Sequence, residues 1–158
     1  MIRVMRTRIH AVPISSEIGE FADEIHQVFR ELGRVYAADS LAGECAPPID
    51  VYETDETFEI SVDLPGVDPG VVRIIVKGGA LLVAGEKAPR RGRGDASFHL
   101  VERGYGRFAR TVRLHAACDA GRARATLANG ELRIVLPKIA ERRGRAIQIA
   151  VDRGESVS

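Results

Sequence analysis

Residues 104–109, Gly104-Tyr105-Gly106-Arg107-Phe108-Ala109, fit G-x-G-x-x-A, the spacing at which a glycine backbone lets a pyrophosphate approach a helix N-terminus. That chemistry needs a parallel strand before the glycines and a helix after them. Here Arg107 to Leu114 alternates as a strand, so the segment reads as a strand entry with a glycine turn and not as a nucleotide site. His10, His26, His99 and His115 are scattered, with no H-x-x-x-H pair and no acidic cluster at ligand spacing, so neither a metal nor another cofactor is expected. No G-x-S-x-G elbow, P-loop or Cys–His arrangement exists, and no catalytic site is identified. Cys45 and Cys118 belong to no CxxC or zinc-type spacing and read as reduced thiols of a cytoplasmic protein. Arg110 is the residue with the most chemical content. Counting by twos from Phe108 puts Arg110, Val112 and Leu114 on one side of a strand. Arg110 is then either an edge residue with a snorkelling side chain or a partly buried guanidinium that requires a carboxylate.

These residues must be positioned by a chain of 158 residues, a length that suits one domain with flanking arms. Hydrophobic residues at 45% and charged residues at 28% support a sizeable core and argue against disorder throughout. A net charge of +1 lacks the basic surplus of a dedicated nucleic-acid binder, and 5% aromatics without tryptophan leave few stacking platforms. The basic runs PRRGRG and ERRGR then read as segments kept soluble and extended. The N-terminus, MIRVMRTRIHAV, has no unbroken apolar region of the secretory type, and no later stretch approaches a membrane span.

Ser16 to Leu32 is expected to be an amphipathic helix, with Ile18, Phe21, Ile25, Val28, Phe29 and Leu32 recurring at spacings of three and four. Ser16 is the expected N-cap and Gly33 stands where a C-cap would. Its apolar side needs cover from the rest of the chain, another copy of the helix, or a bound polypeptide. Its polar side, with Glu17, Glu20, Asp23, Glu24 and Glu31, is too acidic for anionic lipid. After Pro47-Pro48 the period changes to two. Strands are expected at Ile49 to Thr54, Phe58 to Leu64, Val72 to Val76, Leu81 to Glu86, Phe108 to Leu114, Ala123 to Leu127 and Leu132 to Leu136. A further short strand is expected at Phe98 to Arg103, within the long excursion from Lys87 to Gly106. Asn129-Gly130 marks a hairpin, and Glu131 is read as part of its turn. Short strands without intervening helices indicate an all-β, immunoglobulin-like antiparallel sandwich. Beyond Pro137 a basic tail ends with Ile147, Ile149 and Val151 alternating with polar or small residues.

The run IDVYETDETFEISVDLPGV resembles the opening of the α-crystallin domain of bacterial and plant small heat-shock proteins. ERGYGRFARTVRL resembles the later ER-x-x-G-x-F-x-R segment of that family, and ATLANGELRIVLPK its A-x-x-x-N-G-x-L…P-K segment. Ile147-Gln148-Ile149 is similar to its C-terminal I-x-I motif. Two departures stand out: Glu131 where valine is frequent, and His115 where proline often follows the leucine matching Leu114. The resemblance implies an N-terminal arm over residues 1–46, an α-crystallin domain over 47–138 and a tail over 139–158. It implies an ATP-independent holdase, active in the stress response, that binds unfolding proteins and assembles as dimers into larger homo-oligomers. The rivals are an adaptor of the co-chaperone type docking on one folded partner, and an enzyme with an unrecognised site. The loop strand would be exchanged between subunits, placing Phe98, Glu102, Tyr105 and Arg110 at the dimer interface, with Glu102 the leading partner of Arg110. Ile147 and Ile149 would dock on a neighbouring dimer, in a groove lined by Val72, Ile74, Val76, Ala123, Ala125 and Leu127. Clients would meet Ile18, Phe21, Ile25, Val28, Phe29 and Leu32.

Overall fold

Strict alternation governs the strand β2, Thr57–Asp63, in which Phe58, Ile60 and Val62 point inward and are fully buried while Glu59 and Ser61 do not. The computed structural model describes residues 18–32, 45–88 and 94–140. Within them lie a 3-10 turn at Ile18–Phe21, the helix α1 at Ala22–Glu31, and β1 at Ile49–Glu53 ahead of β2. Then follow β3 at Arg73–Lys77, β4 at Ala80–Lys87, β5 at Gly106–Arg113, β6 at Arg124–Ala128 and β7 at Glu131–Pro137. All strand pairs are antiparallel, in a four-stranded sheet of order β1-β2-β7-β6 and a three-stranded sheet of order β3-β4-β5. The sandwich expected from the periodicity is therefore present, and its seven main strands fall where the alternation put them.

The inner faces meet in one core. Phe58, Ile60 and Val62 pair in register with Leu136, Ile134 and Leu132, and face Leu81, Val83 and Phe108 of the other sheet. Burying each such side chain contributes about 1.5–3 kcal/mol, which holds the two layers together. Gly85 continues the inward series Leu81, Val83 on β4. A Cβ there would lie 2.6 Å from the Val71 carbonyl oxygen and 2.9 Å from Phe108 Cζ. The Phe108 ring thus fills the space that a side chain at 85 would need.

Local chemistry sets the ends. Asn129 and Gly130 have φ of 52° and 78°, the left-handed pair of a two-residue hairpin turn whose twist matches that of the strands. Such a turn has no room for a third residue. Glu131 consequently begins β7, paired with Ala128, and is not part of the turn as the sequence suggested. The expected strand at Phe98 to Arg103 is also absent: these residues adopt no regular structure. A strand needs a neighbouring edge to take up its backbone groups, and this segment pairs with none among the described residues. The α-helix starts at Ala22, later than expected, with Phe21 at its N-terminal boundary and no side-chain cap. Ser16 and Gly33 lie outside the described residues.

Candidate interaction site

A sandwich of four strands on three has two open flanks. Cys45 N–H donates to the Arg107 carbonyl (3.2 Å), which ties the segment entering β1 to β5 and brings those two edge strands together on one flank. Arg110 sits on β5 opposite Val83, with Phe108 and Val112 beside it buried in the core. It is half-buried. Glu102 is exposed, and among the described residues no ion pair joins it to Arg110. Tyr105 is half-buried and the Arg103 guanidinium lies 5.1 Å from its ring centre. Phe98, Leu100 and Val101 are 66%, 74% and 60% exposed, an apolar run without cover in the single chain. On the same flank β1 pairs, among the described residues, with β2 alone, and its outer edge offers backbone donors and acceptors to an added strand.

The opposite flank is bounded by β3 and β6. Val72, Ile74 and Val76 are half-buried there, as are Ala123 and Leu127, and all five pack on the common core. Ala125 is exposed. Edge strands cover their inward residues from one side only, so this seam keeps apolar surface in reach of solvent. Ile147 and Ile149 lie outside the described residues.

The sequence pattern gave Lys138 no role of its own, yet it fastens the start of the tail. Its N–H donates to the Glu56 carbonyl (2.8 Å), and Nζ donates to Glu53 Oε1 and to the Thr54 carbonyl, both at 2.6 Å. Nζ also lies 4.9 Å from the Phe58 ring centre. The next residue, Ile139, donates its N–H to the Ala117 carbonyl (2.8 Å), so the chain leaves the sandwich at a defined point. Nearby Cys118 is a thiol that burial pushes above its ordinary pKa, and the Cys45 thiol donates to the Gly106 carbonyl (3.5 Å).

The third surface is the outer face of the β3-β4-β5 sheet, and here α1 has found its cover. Phe21, Ile25, Val28 and Phe29 are all at most 5% exposed, packed on Ile75, Ala80, Leu82, Ala84 and Ala109. Ile18 and Leu32 flank this contact, partly buried. Of the three covers open to the helix, the chain's own sandwich is the one observed. Polar contacts run along the β3 edge. Lys77 Nζ pairs with Glu24 Oε1 (2.5 Å) and donates to the Glu20 carbonyl (3.3 Å), while Arg73 Nε is 3.8 Å from Glu31. The hydrogen bond from Lys77 holds the Glu24 carboxyl below the usual carboxylate range. Beneath the helix, Arg107 and Glu86 are buried register partners, and the Arg107 guanidinium lies 4.8 Å from the Phe29 ring centre. Alternation alone placed Arg107 on the outward side of β5 and missed its burial, because the covering helix is remote in sequence.

Among the described residues no three His, Cys, Asp or Glu side chains gather as a metal site, and no helix is long and apolar enough to cross a membrane. The sequence profile of the Hsp20/alpha crystallin family matches residues 50–151. Heat shock protein 16 of Schizosaccharomyces pombe is 35% identical over 113 residues, covering 70% of this chain and 78% of that protein. The solved structure of heat shock protein 16.0 from the same organism superposes with a TM-score of 0.58 at 35% identity, over 69% of this chain and all of that one. The crystal structure of a small heat-shock protein from Xylella fastidiosa does so with a TM-score of 0.58 at 31% identity, over 68% of this chain and 99% of that one.

Proposed function

Since the chain belongs to the Hsp20/alpha crystallin family, whose members are chaperones of the stress response and not enzymes, we propose that it is an ATP-independent holdase. It binds unfolding polypeptides in the cytoplasm and keeps them from aggregating. The observation that carries this reading is the apolar face of α1. Phe21, Ile25, Val28 and Phe29 are stored against an alanine-rich sheet, and the rim contacts that retain the helix are exposed ion pairs. Exposed ion pairs are weak and screened by salt, so the helix is held chiefly by its apolar burial, which an exposed apolar segment of a client can replace while the sandwich stays folded. The freed surface gains roughly 25 cal/mol for each Å² it buries against an exposed apolar segment, with no nucleotide in the cycle.

Assembly follows from the two flanks. The loop 94–106 adds to the β1 edge of a second subunit, burying Phe98 and Leu100 and bringing Glu102 of one subunit to Arg110 of the other. This β-addition supplies the partner edge that Phe98 to Arg103 lacks among the described residues. Ile147 and Ile149 of the tail enter the β3/β6 seam of a neighbouring dimer, against Val72, Ile74, Val76, Ala123, Ala125 and Leu127. The related Xylella fastidiosa protein is described with a distinct high-order structure, which supports assembly beyond the dimer here. The organisation is then an arm over 1–46, the α-crystallin domain over 47–138 and a cross-linking tail over 139–158.

The test is suppression of aggregation of a heat- or reductant-destabilised client at near-stoichiometric ratio, with native mass measured in parallel. Suppression unchanged by ATP is expected. A requirement for ATP, or failure across several clients, refutes the holdase reading. A monomer that binds a single folded partner would instead mark the chain as an adaptor.

A further inference from the structure

We infer that the sheet face under α1 is itself a docking surface, which takes amphipathic, acidic helical segments of unfolding proteins when α1 vacates it. This rests on the holdase reading and adds a second surface to it, one that selects its ligands by charge.

The argument starts from the register. Across the outer face of the three-stranded sheet, Arg73 stands in line with Ala84 and Ala109, Ile75 with Leu82 and Thr111, and Lys77 with Ala80 and Arg113. The floor is therefore apolar and mostly alanine. Short side chains on β4 and β5 leave a shallow trough in which bulky groups from a helix, such as Phe21 and Phe29, can lie close to the sheet. Cations stand along the β3 side of that floor, Arg73 and Lys77, while Arg107 on β5 is buried at its end. Among the described strand residues the acidic side chain of the face is Glu86, beside Arg107. A surface of this kind attracts negative charge and helps select the partner as well as raising its encounter rate.

The present occupant shows what fits. Ile25, Val28 and Phe29 recur at helical spacing and reach the floor, while Glu24 and Glu31 meet Lys77 and Arg73. Seven residues of helix span about 10 Å and four residues of strand about 13 Å, so two carboxylates two turns apart match two cations on alternate outward positions of β3. That match fixes direction as well as charge: α1 runs antiparallel to β3. Nothing in it depends on α1 being part of the same chain. Any segment with apolar residues at these spacings and acids on one flank presents the same chemistry, and α1 competes with it as a tethered ligand.

The experiment uses the full-length chain with Glu24→Lys and Glu31→Lys, which repels α1 from the rim and leaves the sheet face unaltered. The probe is a fluorescent peptide of residues 18–32 with wild-type sequence. Two reversed rim pairs should make apparent peptide binding about five- to thirtyfold tighter than in the wild type, where α1 occupies the face. Binding should weaken at about 1 M salt, where the screening length is near 3 Å, and vanish for a peptide carrying Ile25→Ser and Phe29→Ser. Amide exchange should show peptide protection over Ala80 to Ala84 and at Ala109. The inference is overturned if α1 amides exchange no faster in the variant than in the wild type, since the rim pairs then contribute nothing to docking of the helix. It is overturned equally if α1 is released but the peptide fails to bind, or protects either flank instead of this face. Protection of the wild-type face that disappears on dilution would put a second copy's helix there, and also overturns it. No aggregating client is present, so a negative result here leaves the holdase test standing.

Discussion

Replacing Gly85 with alanine tests whether the core is packed as the structure has it. The added methyl would sit 2.6 Å from the Val71 carbonyl oxygen and 2.9 Å from Phe108 Cζ, with Cε1 of the same ring at 3.4 Å. Neither neighbour is the loose end of a flexible side chain: one is backbone, and the other is a fully buried ring. Forcing a methylene into such a space costs about 1–3 kcal/mol. Against this, alanine restricts the unfolded chain and would by itself stabilise by about 0.4–1 kcal/mol where its conformation is allowed. The clash wins, with a net loss of about 1–2 kcal/mol and a fall in melting temperature of roughly 5–15 °C for a domain of this size. Thermal unfolding followed by circular dichroism measures it. Phe108→Leu in the Gly85→Ala background should recover part of the loss, because the shortened side chain vacates the space. A double-mutant cycle should give a coupling of about 0.5 kcal/mol or more. A Gly85→Ala protein that melts at or above the wild-type temperature refutes the packing argument.

Arg110→Ala should weaken the dimer by about 1–3 kcal/mol, between the values for exposed and buried ion pairs, because Arg110 is half-buried. Native mass on dilution reads the effect, and additivity with Glu102→Gln removes Glu102 as its partner. Ile147→Ala with Ile149→Ala should shift large assemblies to dimers with an unchanged β signal, since two isoleucines give a weak link that only repetition strengthens. Wild-type native mass in that double variant assigns assembly to another segment. Docking of α1 should also depend on pH. Lys77 lowers the Glu24 pKa, so the pair's contribution is present at neutral pH and is lost as pH falls through the docked-state value, below the usual carboxylate range. Amide exchange of α1, corrected for its intrinsic pH dependence, should show this acid release, and Lys77→Met should abolish it.

Much of the fold was legible because its causes are local. The alternation Phe58, Ile60, Val62 names a buried face whatever lies opposite, and Asn129-Gly130 can adopt the two left-handed conformations that join β6 to β7. The apolar spacing of α1 likewise said that one side must be covered. What covered it was not legible. Its floor is built from Ile75, Ala80, Leu82, Ala84 and Ala109, which no helical or strand period links to residues 21–29, and alanine carries little pattern of its own. The same distance in sequence hid the burial of Arg107 under Phe29, and the role of Lys138, whose partners Glu53 and Thr54 are supplied by the end of β1 and the turn after it. Phe98 to Arg103 has the composition of a strand but lacks regular structure, for a strand exists only beside another edge. Gly85 carries no pattern that explains it; the Phe108 ring that occupies its place comes from another strand. Periodicity and turn chemistry act between neighbours in sequence and so were determined by sequence alone. Cover, contact and charge pairing act between surfaces, and only the tertiary structure decides which surfaces meet.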